Sequence, residues 1–163
     1  MSDFDRHERT KVARAAPVRL LLDDGTELLG CGFGAAKPVR GEVVFNTAMA
    51  GYVETLTDPS YCGQILVLTY PLIGNYGVPP RRSASIERPY ESDRIQPQAL
   101  VVQNYVDGYS HHAAARSLHA WLVEEDVPGL TGVDTRALTR RLRERGTMQG
   151  WLYPATMSED EAR

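Results

Sequence analysis

A single domain of mixed α/β class is what this sequence predicts, on three observations. Apolar, β-branched runs of strand length recur along the chain, and two later segments carry apolar residues at helical spacing. Neither an internal repeat nor a compositional shift marks a second domain. The length of 163 residues suits one domain with a sizeable core, because a chain of this size removes about two thirds of its unfolded surface from water on folding.

The first sixteen residues interleave Asp3, Asp5 and Glu8 with Arg6, Arg9, Lys11 and Arg14 and hold no continuous apolar segment. A secretory signal needs such a segment, and an organellar transit peptide is poor in acids, so a disordered, solvated tail is expected over residues 1–16. Val18 to Leu22 reads as a short strand, Asp24-Gly25 as a tight hairpin turn, and Glu27 to Phe33 as the returning strand. Glu42 to Thr47 alternates around Val43, Val44 and Phe45, and Gln64 to Tyr70 is a β-branched run of similar length, so both are expected as core strands. Ala50 to Gly63, with two glycines and an Asp-Pro step, is expected as an ordered loop. Pro71 to Gln98 holds five of the ten prolines and is expected as a loop excursion before a strand over Ala99 to Gln103. His111 to Glu124 places Ala115, Leu118, Trp121 and Leu122 on one helical stripe. In a second helix Asp134 serves as the N-cap, Ala137, Leu138 and Leu142 form the apolar face, and Gly146 suits a left-handed stop, with a final strand over Met148 to Tyr153.

Composition narrows the function classes. Charged residues make up 24% of the chain and the formal net charge is -3, so nothing in the overall charge favours nucleic acid or an acidic membrane surface as partner. No apolar run approaches the ~20 residues of a membrane span, which predicts a water-soluble, cytoplasmic protein. Cys31 and Cys62 are the only cysteines and are expected as reduced thiols.

Short motifs point to little chemistry. Gly30-Cys31-Gly32-Phe33-Gly34-Ala35 fits a loose dinucleotide-binding pattern, but Pro38 and a further strand follow where the phosphate-holding helix should begin. Glycines at a strand end or bulge are the better reading. A glutaminase triad needs a thiolate on a sharp strand-to-helix turn with a histidine beside it, and neither cysteine has that context, so both read as structural thiols. His111, His112 and His119 lack the spacing and further ligands of a zinc site, so no metal is expected. Arg136, Arg140, Arg141, Arg143 and Arg145 read first as a solvated helix face that complements the helix dipole, and second as an anion or partner surface.

Two long stretches carry a resemblance. Gly41 to Gly77 reads GEVVFNTAMAGYVETLTDPSYCGQILVLTYPLIGNYG, and Val133 to Gly150 reads VDTRALTRRLRERGTMQG. With the opening DDGTELLG, they resemble in order and spacing the amino-terminal domain of carbamoyl-phosphate synthase small chains, over roughly Val18 to Tyr153. The resemblance implies a layered β/β/α domain of the swivelling type over 17–153, with 154–163 as the start of a linker to a glutamine amidotransferase domain. That domain, which carries the family's Cys-His-Glu triad, is absent from these 163 residues, so the isolated chain is expected to be inactive. It further implies that glutamine is hydrolysed in the small subunit and that ammonia passes to a large subunit. There ATP, magnesium and bicarbonate are used to make carbamoyl phosphate for pyrimidines and arginine, with no cofactor in this chain. Ser60, in Asp58-Pro59-Ser60-Tyr61, matches the family serine that contributes to the glutamine pocket; from spacing alone it reads as a local cap. Gly51, Tyr52, Asn75 and Gly77 fall in the matched segment and are read as scaffold. The implied partners are the large subunit, the amidotransferase domain and L-glutamine. Two other readings remain: a non-catalytic scaffold or regulatory binding module derived from that domain, and an independent cysteine enzyme using Cys62.

Overall fold

The computed structural model describes residues 16–49, 51–81 and 89–163, so the tail expected over 1–16 lies, but for Ala16, outside the described residues. The chain then opens with the expected hairpin: β1 (Pro17–Leu22) turns into β2 (Glu27–Gly34), with Gly25 at φ 85° and its N–H donating to Leu22 O at 3.0 Å. β3 (Val39–Asn46) starts earlier than the alternation suggested. The loop expected over Ala50–Gly63 is instead largely helical, with α1 (Tyr52–Thr57) and a 3-10 turn (Pro59–Tyr61) leading to β4 (Gln64–Leu68). The glycines and the Asp-Pro step that suggested a loop sit at the ends of these elements. A helix of one or two turns has little intrinsic stability, so burial of Tyr52, Val53 and Leu56 is what forms it.

Within the Pro71–Gln98 excursion the chain forms β5 (Leu72–Ile73), and residues 82–88 lie outside the described residues. β6 (Ala99–Val101) and β7 (Asn104–Tyr105) follow. The helix expected over His111–Glu124 is confined to α2 (Leu118–Glu124). Arg116 pairs with Val78 as an isolated bridge and Ala115 N–H donates to Val78 O at 2.9 Å, which holds this part extended. Ser117 then caps the helix, its Oγ accepting from Ala120 N–H at 3.1 Å. Ala115, expected on the buried stripe, is exposed, whereas Leu118, Trp121 and Leu122 are fully buried. β8 (Pro128–Thr131) had no signal in the sequence, since a short run with proline and glycine reads as a turn. α3 (Thr135–Arg145) begins at Asp134, whose Oδ1 accepts from Ala137 N–H at 2.9 Å. Its buried face is Leu138 and Leu142 with Thr135 and Thr139; Ala137 is exposed. Gly146 ends it at φ 86° and ψ -172°, an extended positive-φ conformation rather than the left-handed helical one. β9 (Met148–Pro154) and the short α4 (Glu159–Ala162) complete the chain.

Among the described residues seven strands close into a barrel in the order β1-β2-β8-β6-β4-β3-β9, and β5 pairs with β7 apart from it. The mixed α/β domain is therefore present, with its sheet wrapped on itself. The β3-β4, β4-β6 and β6-β8 pairs are parallel, which requires crossovers. These are supplied by α1 with the 3-10 turn, by the Pro71–Gln98 excursion and by α2. Alternation sorts the side chains into two cores. Ile65, Val67, Ala99 and Val101 point inward with Leu20, Val43, Leu130 and Leu152, while Leu66, Leu68, Leu100 and Val102 point outward onto Leu56, Trp121 and Leu122. A strand buried on both faces reads as a continuous apolar run, which is why Gln64 to Leu68 shows no polar alternation.

The Glu125 carboxylate ties the outer core together. It accepts from Trp121 Nε1 at 2.7 Å, from Arg81 at 2.9 Å and from Ile95 N–H. At the opposite end Asp24 Oδ1 accepts from Thr26 N–H at 2.9 Å, and its Oδ2 accepts from Arg141 Nε at 2.7 Å. The hydroxyl and N–H of Thr26, and then Arg141, hold the Asp24 carboxyl at about 2 against its ordinary 3.8.

Two outcomes follow from these contacts. A Cβ on Gly150 would stand 2.5 Å from Val43 Cγ2 inside the barrel, so Gly150→Ala lowers stability by about 1–3 kcal/mol in urea unfolding. Because the carboxyl of Asp24 is depressed in the folded state, its contribution is complete above the ordinary carboxylate range and is lost as pH falls from about 4 towards 2. Asp24→Asn should flatten that part of the acid limb, by on the order of 1 kcal/mol in unfolding free energy measured across the same window.

Candidate functional site

The β3-to-β4 crossover is built around the side chain of Asn46. Its Oδ1 accepts from Ala48 N–H at 2.6 Å and its Nδ2 donates to Tyr61 Oη at 3.0 Å, which pins both ends of the crossover to one residue. Asp58 caps the 3-10 turn, Oδ1 accepting from Ser60 N–H at 2.8 Å, and Pro59 presets the first position. Hydrogen bonds from the N–H and then the hydroxyl of Ser60 hold the Asp58 carboxyl below its ordinary range. Ser60 is thus exposed on a turn whose backbone is fixed, with its hydroxyl beside Asp58. The local-cap role that spacing alone suggests belongs to Asp58, and Ser60 is its donor.

The other sequence candidates do not converge on this turn. Cys62 follows it directly and Cys31 lies on β2; both are free and exposed, and among the described residues no histidine bonds to either. His111 and His112 are exposed and stack on each other at 4.5 Å. His119 faces elsewhere, its Nδ1 accepting from Gly34 N–H at 2.9 Å. Among the described residues no group of three or more histidine, cysteine or acidic side chains could hold a metal ion. The Gly30–Ala35 pattern lies on β2 and its exit, with β3 next rather than a helix, so no phosphate cradle forms. Of the arginine run, Arg141 pairs with Asp24 and Arg143 lies 5.3 Å over the Phe45 ring, while Arg136, Arg140 and Arg145 are exposed.

A cleft not expected from the sequence opens beside α1. It has a volume of about 990 Å³ and lies between α1, the Leu68–Pro80 segment and residues 111–115. Tyr52 forms part of its wall, and its hydroxyl donates to Gly77 O, joining α1 to the opposite side. Burial pushes this hydroxyl far above the ordinary tyrosine range, so it stays a donor. Two positions read as scaffold are therefore partners in one buried bond. Gly77 itself adopts φ 65°, and a Cβ there would meet Ala114 at 2.7 Å, which explains the glycine. The available signal was the density of tyrosine and leucine in a segment otherwise marked as loop, with Tyr70, Leu72 and Tyr76 close together.

Comparison with known proteins gives a consistent family. The family model described as carbamoyl-phosphate synthase small chain, CPSase domain, matches residues 20–152. The carbamoyl phosphate synthase small chain of Sulfurisphaera tokodaii is 51% identical over 142 residues, covering 86% of this chain and 38% of that protein. The multifunctional protein URA2 of Saccharomyces cerevisiae is 54% identical over 140 residues, covering 83% of this chain and 6% of that protein. The chain thus spans little more than a third of the small-chain relative and a small fraction of the multifunctional one. Among solved structures, an aminopeptidase from Aneurinibacillus sp. strain AM-1 matches at a TM-score of 0.45 with 17% identity, over 85% of this chain and 31% of that one. That likeness is too loose to bear on fold or activity.

Tyr52→Phe leaves Gly77 O without its buried donor and should cost about 1–3 kcal/mol in thermal or urea unfolding, with far-ultraviolet circular dichroism unchanged.

Proposed function

The chain belongs to the carbamoyl-phosphate synthase small-chain family, and we propose that it is the amino-terminal domain of a glutamine-dependent carbamoyl-phosphate synthase, completing the glutamine pocket and docking to the large subunit. The observation that carries this reading is the match over residues 20–152, which includes an Asp58-Pro59-Ser60-Tyr61 turn whose serine is held outward. We read the barrel, with α2 and α3 packed on it, as the layered β/β/α arrangement that the resemblance implies.

In this reading the work is divided between polypeptide regions. A Cys-His-Glu amidotransferase domain breaks the glutamine amide, while Ser60 reaches the bound glutamine with its hydroxyl, as donor or acceptor. Asp58 then acts as a positioning residue, since its bond to Ser60 N–H sets the serine's direction. Ammonia must remain unprotonated, because ammonium has no lone pair for attack, and a closed passage to the large subunit excludes the water that would protonate it. In this reading the large subunit uses ATP, magnesium and bicarbonate to make carbamoyl phosphate, and this domain contributes no cofactor. The chain by itself turns over no glutamine, and the setting is the cytoplasm.

Reconstitution tests the proposal. The chain is mixed with a separately made amidotransferase domain and large subunit, and glutamine-dependent carbamoyl-phosphate formation is measured. Activity should depend on the added chain, and Ser60→Ala should raise KM for glutamine about tenfold, the loss of roughly one hydrogen bond, with ammonia-dependent synthesis unchanged. Full glutamine-dependent activity without the chain, or release of ammonia from glutamine by the chain alone, would overturn it.

A further inference from the structure

The Ser60 turn is bonded mostly to itself. Within it Tyr61 N–H donates to Asp58 O and Cys62 N–H to Pro59 O, each at 3.1 Å, and Ser60 N–H donates to Asp58 Oδ1 at 2.8 Å. On its upstream side Asp58 N–H donates to Thr55 O in α1 at 3.3 Å. These bonds fix the shape of the turn and move with it, so they leave open where Ser60 stands against the barrel. Among the described residues one hydrogen bond does reach from the turn to a barrel strand: Asn46 Nδ2, at the end of β3, donates to Tyr61 Oη at 3.0 Å.

Both ends of that bond are anchored. Asn46 sits opposite Leu68 at the close of the parallel pairing, and its carbonyl accepts from Thr69 N–H at 3.1 Å and from Thr69 Oγ1 at 3.3 Å. Ala48 N–H can only donate, so Asn46 Oδ1 has to face it, and Nδ2 is left for Tyr61. The Tyr61 ring packs against the outer core. A hydroxyl that binds a ligand has to be held to within about 0.5 Å by groups that do not themselves bind, and this pair supplies such a hold from outside the turn.

We infer that Asn46 and Tyr61 are positioning residues for glutamine capture: their bond sets the place of the Ser60 hydroxyl relative to the barrel, and they act on the substrate only through that serine. The inference rests on the functional reading above, in which Ser60 meets glutamine. Without the bond the turn keeps its shape but loses its fixed distance from β3.

Tyr61→Phe isolates the bond, because it removes the hydroxyl and leaves the ring in the outer core. In the reconstituted enzyme, with amidotransferase domain and large subunit present, it should raise KM for glutamine about three- to tenfold and keep kcat within about twofold. A double-variant cycle with Ser60→Ala supplies a readout that a merely structural role would not move. Once the serine hydroxyl is gone, Tyr61→Phe should have no further effect, so the double variant matches Ser60→Ala in KM. Melting temperatures are measured for all three variants, and the kinetics are run below the lowest of them. An unchanged KM in Tyr61→Phe, whatever its melting temperature, overturns the inference. A Tyr61→Phe effect that persists on the Ser60→Ala background overturns it as well, since Tyr61 would then act independently of the serine. Either result leaves the functional reading in place when Ser60→Ala alone raises KM. If Ser60→Ala leaves KM unchanged, the glutamine-pocket reading falls and the inference with it.

Discussion

The two-sided burial of β4 and β6 is the constraint on which the rest of the molecule depends. Each strand must satisfy an inner core with alternate side chains and an outer core with the others, so any slip of one residue would exchange Ile65 and Val67 with Leu66 and Leu68. The parallel pairing of these strands makes crossovers unavoidable. Those crossovers supply α1, α2 and the 3-10 turn, and with them every surface considered for function.

The polar contacts that matter are the ones that cross between elements in partly buried positions. Glu125 joins the end of α2 to Arg81 and to the backbone at Ile95, three parts of the chain far apart in sequence. Surface pairs such as Lys37 with Asp126, whose carboxylate is 72% exposed, contribute about 0–1 kcal/mol at most. Asn46 acts in the same way on a smaller scale, donating to Tyr61 across the crossover, whereas the exposed bond from Ser60 N–H to Asp58 fixes the turn locally.

How far the sequence could be read depended on whether local pattern and tertiary demand agreed. They agreed in the opening hairpin and in α3, where Asp24-Gly25 and Asp134 carry their own geometry. They disagreed in α1, whose glycine and proline signals mark its ends, and in residues 111–117, where pairing with Val78 overrides a helical spacing. β8 was illegible because its burial comes from its neighbours: Gly129 lies against the Phe33 ring, a contact no short-range pattern encodes. Ser60 was found through resemblance, since its spacing alone suggests only a turn. The cleft as a whole was not legible because the cluster of Tyr70, Leu72 and Tyr76 gives only one wall, while Met49 and Tyr109 come from separate segments that meet it in the fold.

Closure of the seven-strand sheet has one more consequence. Among the described residues its strands form a continuous ring, so the main sheet presents no free margin whose amides and carbonyls could template a strand from another polypeptide. Assembly through backbone pairing is thereby denied to it, as is the commonest route to fibrous aggregation. Selectivity for neighbours that dock on this ring has to be written in side chains, which can drift one substitution at a time while the ring that carries them stays the same.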